Sequence, residues 1–133
     1  MGNLPRYFRV SHVVVLALVF ICGCGGSQSQ PVSGIVTMDE KQLPGVQVIF
    51  SPAEGGRGNS VGRTDKTGAY SLVYTIRDDG AITGKYKVLI SKKKTVNERE
   101  VETLPEKYNR ESIFSAEVTA TGDNNFNFNL ESE

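Results

Sequence analysis

From Pro31 to the C-terminus, apolar residues recur at every second position, in short runs broken by turn-forming residues. This pattern constrains the fold more than any other feature. Successive side chains of a strand point to opposite faces, so each run predicts one buried and one solvated face. The strictest run is Asn125-Phe126-Asn127-Phe128-Asn129-Leu130, with the phenylalanines and the leucine facing a core. In Gly84–Ile90, Tyr86, Val88 and Ile90 point inward, and Lys85 and Lys87 outward. Val46, Val48 and Phe50 form another inward set, as do Tyr70, Leu72 and Tyr74, and Phe114, Ala116 and Val118. Val32, Val36 and Met38 share a face with Gly34, where a missing side chain predicts close approach of another backbone. Val61–Thr64 is a further short strand.

The breaks carry turn chemistry. Asp39–Gly45 closes on Pro44-Gly45, and Asp78-Asp79-Gly80 and Thr121-Gly122-Asp123-Asn124 are further turns. In Asp65-Lys66-Thr67-Gly68 the aspartate is placed to accept backbone amides, and the glycine can take a positive φ. Roughly seven strands without a convincing helical period predict an all-β fold, a seven-strand antiparallel β-sandwich. If the alternation holds, Ile35, Ile49, Val73 and Leu89 face away from the shared core. Such residues mark an interface when contiguous and mean little when scattered.

Two segments fall outside the pattern. Pro52–Ser60 is glycine-rich, but it lacks the Gly-Lys-Ser/Thr ending of a phosphate-binding loop and reads as a flexible connection. Ser91–Ser112 is long, charged and poor in apolar residues, with room for a single helical turn. Leu104, Pro105 and Tyr108 are placed to pin its far end. Lys92, Lys93 and Lys94, with Glu98 and Arg99, make it the candidate partner-binding loop, although Glu98, Glu100 and Glu102 also suit a self-compensating solvated face.

The N-terminal part reads as an address. Arg6 and Arg9 precede an unbroken apolar run, Val13–Ile21, and no acid accompanies them. A positive flank, a short apolar core and then small residues is the layout of a secretory signal, here a signal helix. The run is shorter than the roughly 20 apolar residues of a spanning helix. Its ending, Ile21-Cys22-Gly23-Cys24, resembles the lipobox of bacterial lipoproteins. Ile21, Cys22 and Gly23 occupy the signal-peptidase recognition positions, although cysteine replaces the commoner serine, alanine or threonine before the glycine. Cys24 is then the lipidated residue. The resemblance implies a thioether-linked diacylglycerol and an acylated amine on Cys24, with palmitate-type chains; two or more such chains anchor firmly where one is marginal. The expected organisation is a cleaved signal peptide over residues 1–23, a lipidated flexible tether over 24–30 and one domain over 31–131. A six-residue Gly/Ser/Gln coil such as Gly25–Gln30 spans about 13 Å on average.

The domain itself resembles a known family. Val32-x-Gly34-x-Val36, Leu43-Pro44-Gly45-Val46-x-Val48-x-Phe50 and Thr64-Asp65-x-x-Gly68-x-Tyr70 are similar to the carboxypeptidase-regulatory-like or transthyretin-like domain. Gly84-x-Tyr86-x-Val88, Leu104-Pro105-x-Lys107-Tyr108 and Asn125-Phe126-x-Phe128-x-Leu130 resemble small bacterial lipoproteins that carry it. The resemblance spans Pro31–Leu130 and implies a prealbumin-like, Ig-like sandwich serving as a binding or accessory module. Its motifs are turn glycines and core positions, which specify a fold and not an activity.

Composition narrows the chemistry. The chain has one histidine, His12, and two cysteines, all in or beside the signal. Cleavage leaves no histidine and only Cys24, so Cys–His and Ser–His–Asp arrangements, histidine-based hydrolysis of the transthyretin-related type and Cys/His zinc sites are all excluded. Fifteen basic and fifteen acidic residues, less Arg6 and Arg9, leave a slightly acidic mature chain, which argues against nucleic-acid binding. Asp39, Asp65, Asp78, Asp79 and Asp123 lie at turns, where aspartates serve their own backbone, and no Asp-x-Asp-x-Asp-Gly calcium loop is present. Asn125, Asn127 and Asn129 fall on the outward face and Val32–Met38 has no lysine, which disfavours an internal Lys–Asn bond.

These observations lead to the expectation of a non-enzymatic protein of the bacterial cell envelope. It is held through lipid on Cys24 at the outer membrane or cell surface rather than the inner membrane, uses no cofactor, and binds an envelope protein or glycan. The alternative is a structural or accessory spacer in an envelope assembly; a carboxylate-based hydrolase is the least favoured reading.

Overall fold

The computed structural model describes Gly2, residues 29–55 and residues 58–132. The signal and lipobox readings, including Ile21, Cys22, Gly23 and Cys24, lie outside the described residues.

The described residues form an all-β domain of twelve strand segments with a single turn of 3-10 helix, Glu106–Tyr108. The strands are β1 Ser29–Gln30, β2 Ser33–Met38, β3 Lys41–Gln42, β4 Gln47–Pro52, β5 Ser60–Arg63, β6 Ala69–Ser71, β7 Ala81–Ile82, β8 Gly84–Ser91, β9 Lys93–Val96, β10 Arg99–Glu102, β11 Phe114–Val118 and β12 Phe128–Leu130. One sheet has the order β11-β8-β4-β5. A second is β12-β2-β3, with β6 also paired to β2. The Val61–Val73 bridge joins β5 to the chain leaving β6 and links the two sheets.

The alternation read from the sequence is what fills the core. Val46, Val48, Phe50, Tyr86, Val88 and Ile90 are fully or almost fully buried from the first sheet. Val36, Tyr70, Leu72, Phe128 and Leu130 meet them from the second. Aromatic rings cross between the two: Phe50 lies 5.7 Å from Phe126 and 6.4 Å from Phe128, and Phe114 lies 5.1 Å from Phe128. Such tilted pairs contribute about 1 kcal/mol each beyond the area they bury. Gly34 lies where the close approach was expected, and a Cβ there would sit 1.8 Å from the Phe126 carbonyl oxygen. The Asp65 turn also forms as read. Asp65 Oδ1 accepts from the Thr67 amide at 2.8 Å, the Thr67 hydroxyl at 2.6 Å and the Ala69 amide at 3.2 Å, and Gly68 has φ of 79°.

Four expectations are corrected. The sheet is not wholly antiparallel, because β12 pairs with β2 in parallel, Phe128 opposite Val36 and Leu130 opposite Met38. The reason is topological. β11 runs back until Val118 stands opposite Gly84, the chain turns there, and the last strand starts from the same end as β2. The run Asn125–Leu130 is not one continuous strand: Asn125 bridges Ser33 in parallel, but the Asn127 side-chain oxygen, not a backbone carbonyl, accepts the Ile35 amide at 2.9 Å, and the unbroken ladder starts at Phe128. The flexible tether does not extend through Gln30, because Ser29 and Gln30 pair with Ile82 and Ala81. Ser91–Ser112 is not a loop but an ordered hairpin, β9–β10, followed by the 3-10 turn.

The far end of that segment is pinned as expected. Leu104 and Tyr108 are buried, Tyr108 stacks on Phe114 at 5.5 Å, and the Tyr108 hydroxyl accepts the Glu131 amide at 2.9 Å. The outward apolar residues separate into two sets. Leu89, Ile49 and Val61 stand in register in one row across β8, β4 and β5, which the bridged Val73 extends, whereas Ile35 lies on the other sheet.

The domain has two ends. Ser29 enters beside Ile82, near the start of β8, and the hairpin leaves from the other end of β8 at Ser91. An eight-residue strand separates those ends by about 23 Å.

Candidate functional site

The five residues singled out in the sequence all lie on or beside the β9–β10 hairpin. Its reversal is the two-residue turn Asn97-Glu98, with φ of 51° and 62°. Positive φ at both central residues gives a turn whose twist matches that of the strands, and asparagine tolerates this conformation better than most residues. The register sets Lys93 opposite Glu102, Lys94 opposite Val101, Thr95 opposite Glu100 and Val96 opposite Arg99.

Because side chains alternate, this register sorts the hairpin into two chemically different faces. One carries Lys93, Thr95, Glu100 and Glu102, and therefore both strand carboxylates. It turns toward the domain, where Lys93, Glu100, Ser91, Gly45, Gln47 and Arg63 line a cleft of about 250 Å³. Lys93 and Glu100 form an ion pair at 3.8 Å, more than half exposed on both sides, which contributes little in water. The opposite face carries Lys94, Val96, Arg99 and Val101 and no acid. Val96 is 42% and Val101 44% exposed, high for aliphatic side chains.

The hairpin is fixed at its base by one carboxylate. Glu102 accepts from the Ser91 hydroxyl, from the Lys92 amide at 2.8 Å and from the Thr103 and Leu104 amides at 3.1 Å each. Partial burial opposes the charge on Glu102, but the donors from Ser91, Lys92, Leu104 and Thr103 together outweigh it and hold the carboxyl below the usual range. The Lys92 carbonyl closes the ring by accepting both the amide and the hydroxyl of Thr103, at 2.8 and 2.6 Å.

The structure thus divides the sequence candidates. Lys94 and Arg99 share the acid-free face. Lys93 belongs to the opposite face, Lys92 to the base and Glu98 to the turn. Sequence reasoning missed Val96, Val101 and Glu102. The available signal was the alternation of Lys94 with Val96 and of Arg99 with Val101, masked by the high charge of the segment. Among the described residues, no three His, Cys, Asp or Glu side chains gather closely enough to hold a metal ion. A larger open cleft, about 520 Å³ and lined by Gln30, Pro31, Ser33 and residues 122–125, lies at the other end. Its buried Asn124 is already committed, accepting the Thr119 amide at 3.0 Å and donating to the Thr119 carbonyl at 2.9 Å.

Among the described residues no helix is long and apolar enough to cross a membrane. Comparison with protein-family models, with curated proteins and with solved structures finds no match to this chain.

Proposed function

We propose that the chain is a non-enzymatic, lipid-anchored cell-envelope protein whose β-sandwich binds a protein or glycan partner. The observation that carries this reading is a hairpin that buries almost nothing in its own domain yet is clasped in place. Nine of its residues, Lys93–Val101, are exposed, and a two-stranded hairpin alone is marginal in water. A rigid, solvated projection at the end opposite the tether suits a partner better than it suits the stability of the fold. The sequence supplies the other half of the argument: the lipobox-like Ile21-Cys22-Gly23-Cys24 for anchoring, and a mature chain without histidine. With β1, β3, β7 and the projecting hairpin set aside, β2, β4, β5, β6, β8, β11 and β12 remain, which supports the seven-strand prealbumin-like reading.

The test has two arms. Cys24→Ser should leave the protein unprocessed or release it from membranes; a variant still processed and membrane-bound removes the anchor reading. Crosslinking in native membranes, with and without residues 93–102, tests the binding site. Loss of the crosslinked product on hairpin deletion supports a binding module. A defined complex that survives the deletion favours the spacer role instead, on an outer or surface membrane in either case.

A further inference from the structure

We infer that the acid-free face of the β9–β10 hairpin recognises an extended acidic segment of a partner protein, added as a strand along one outer edge of the hairpin. This rests on the reading of the hairpin as the partner-binding element and specifies the chemistry of its occupant.

Charge on the hairpin is segregated by face. β9–β10 holds three cations and two carboxylates on its strands. The register puts both carboxylates on the face turned toward the domain, satisfied by Lys93 and by the clasp. Lys94 and Arg99 are left on the outer face with only valines beside them. Lysines that merely protect an exposed edge from aggregation do not require their acids to be sorted to the other side.

The strands also have the right backbone. β9 and β10 pair only with each other among the described residues, so each keeps an unpaired edge. Strand addition satisfies such an edge, and side chains at alternate positions then give specificity. Each edge strand presents one cation and one valine two residues apart on the outer face: Lys94 and Val96 on β9, Arg99 and Val101 on β10. The complement is a segment with an acid and an aliphatic residue two positions apart, the acid beside the cation and the aliphatic beside the valine. A carboxylate beside Arg99 can accept two parallel hydrogen bonds.

The other occupants fit less well. The hairpin has no aromatic residue on which a sugar ring could stack. An anionic bilayer is disfavoured by position, because the hairpin leaves the domain about 23 Å from where the tether enters.

The experiment uses the full chain in detergent and two labelled peptides of equal composition, read by fluorescence anisotropy. In the first, Glu-Thr-Val-Thr repeats place acids and valines on one face. In the second, Glu-Val-Thr-Thr repeats place them on opposite faces. The first should bind about tenfold more tightly than the second, and added salt should weaken it. Lys94→Glu with Arg99→Glu should weaken the first by about tenfold or more, and Val96→Thr with Val101→Thr severalfold. Lys85→Glu with Lys87→Glu, an equal charge change on the main sheet, should leave binding unchanged. Equal affinity for the two peptides, or no binding, overturns the inference. So does capture of heparin or of phosphatidylglycerol vesicles through Lys94 and Arg99 in the absence of peptide binding. If the peptides fail while hairpin deletion still abolishes the native crosslink, the binding module stands and only its acidic occupant falls.

Discussion

At Gly34 an added methyl carbon would meet the Phe126 carbonyl oxygen at 1.8 Å and the carbonyl carbon at 2.6 Å. Neither atom is free to move. That oxygen also accepts the Tyr70 hydroxyl at 2.6 Å, and the Phe126 amide donates to the Ser33 carbonyl at 2.9 Å. Gly34→Ala should therefore cost about 3 kcal/mol or more, beyond ordinary overpacking, because it separates the last segment of the chain from β2. Denaturant titration of the purified variant measures this, and a loss under 1 kcal/mol would mean that the two backbones part easily. Ser60 presents the opposite case. Its hydroxyl is sealed from solvent with no hydrogen-bond partner among the described residues. Ser60→Ala removes a polar atom that gains nothing from burial, so it should stabilise the domain by about 1 kcal/mol in the same titration.

At the scale of elements, the strands were legible and their connections were not. Val46, Val48, Phe50, Tyr86, Val88 and Ile90 pointed inward from sequence because burial of one face is a strictly local, period-two signal. Pairing direction depends instead on which end each strand starts from, and nothing within Phe128–Leu130 records that. The hairpin was illegible for a different reason. Both tight two-residue turns, Asp39-Glu40 and Asn97-Glu98, put glutamate at positive φ, where sequence reading looks for glycine. Glu98→Gly should accordingly stabilise the hairpin by about 0.5–1 kcal/mol, seen as slower amide exchange in β9 and β10 alone. Glu102→Ala should act in reverse. It removes four accepted hydrogen bonds at a partly exposed site, so the expected local loss is about 1 kcal/mol, again confined to the hairpin amides. The clasp also carries a pH dependence. Its carboxyl is held below the ordinary glutamate value of 4.5, so its stabilisation is complete above that pH. It is lost as pH falls through the lower folded-state value. Protection of the hairpin amides, relative to their intrinsic exchange rate at each pH, should therefore fall in acid before that of the core, and Glu102→Gln should flatten that response.

At the scale of the whole molecule, the two ends define a direction that the sequence did not carry. Alternation says which residues are buried, but not that Ser29 sits beside Ile82 while Asn97-Glu98 projects beyond Ser91. Those placements come from long-range pairing. If Cys24 is lipidated, few residues separate the bilayer from Ser29, a tether on the order of 10 Å, shorter than the roughly 23 Å length of β8. The end that holds the loop around Ile76 is then kept near the membrane, because the loop closes at Gly80, where an added Cβ would sit 1.8 Å from the Gln30 carbonyl oxygen, and Ala81 pairs with Gln30. Ile76 is fully exposed, and its turn is pinned by Thr75, whose hydroxyl accepts the Arg77 and Asp78 amides at 3.2 and 3.1 Å. This makes position 76 a suitable place for a probe. A fluorophore on Ile76→Cys should transfer energy to a dye in the bilayer more efficiently than one on Glu98→Cys, in the same vesicles and at the same protein density. Lipidation of Cys24 and removal of Cys22 with the signal would leave each variant with one reactive thiol. Equal transfer from the two positions would mean that the domain lies flat, with the hairpin at the membrane, and a bilayer would then replace the acidic segment as its occupant. Stronger transfer from position 76 leaves the hairpin turned outward, where a partner protein can reach its open edges.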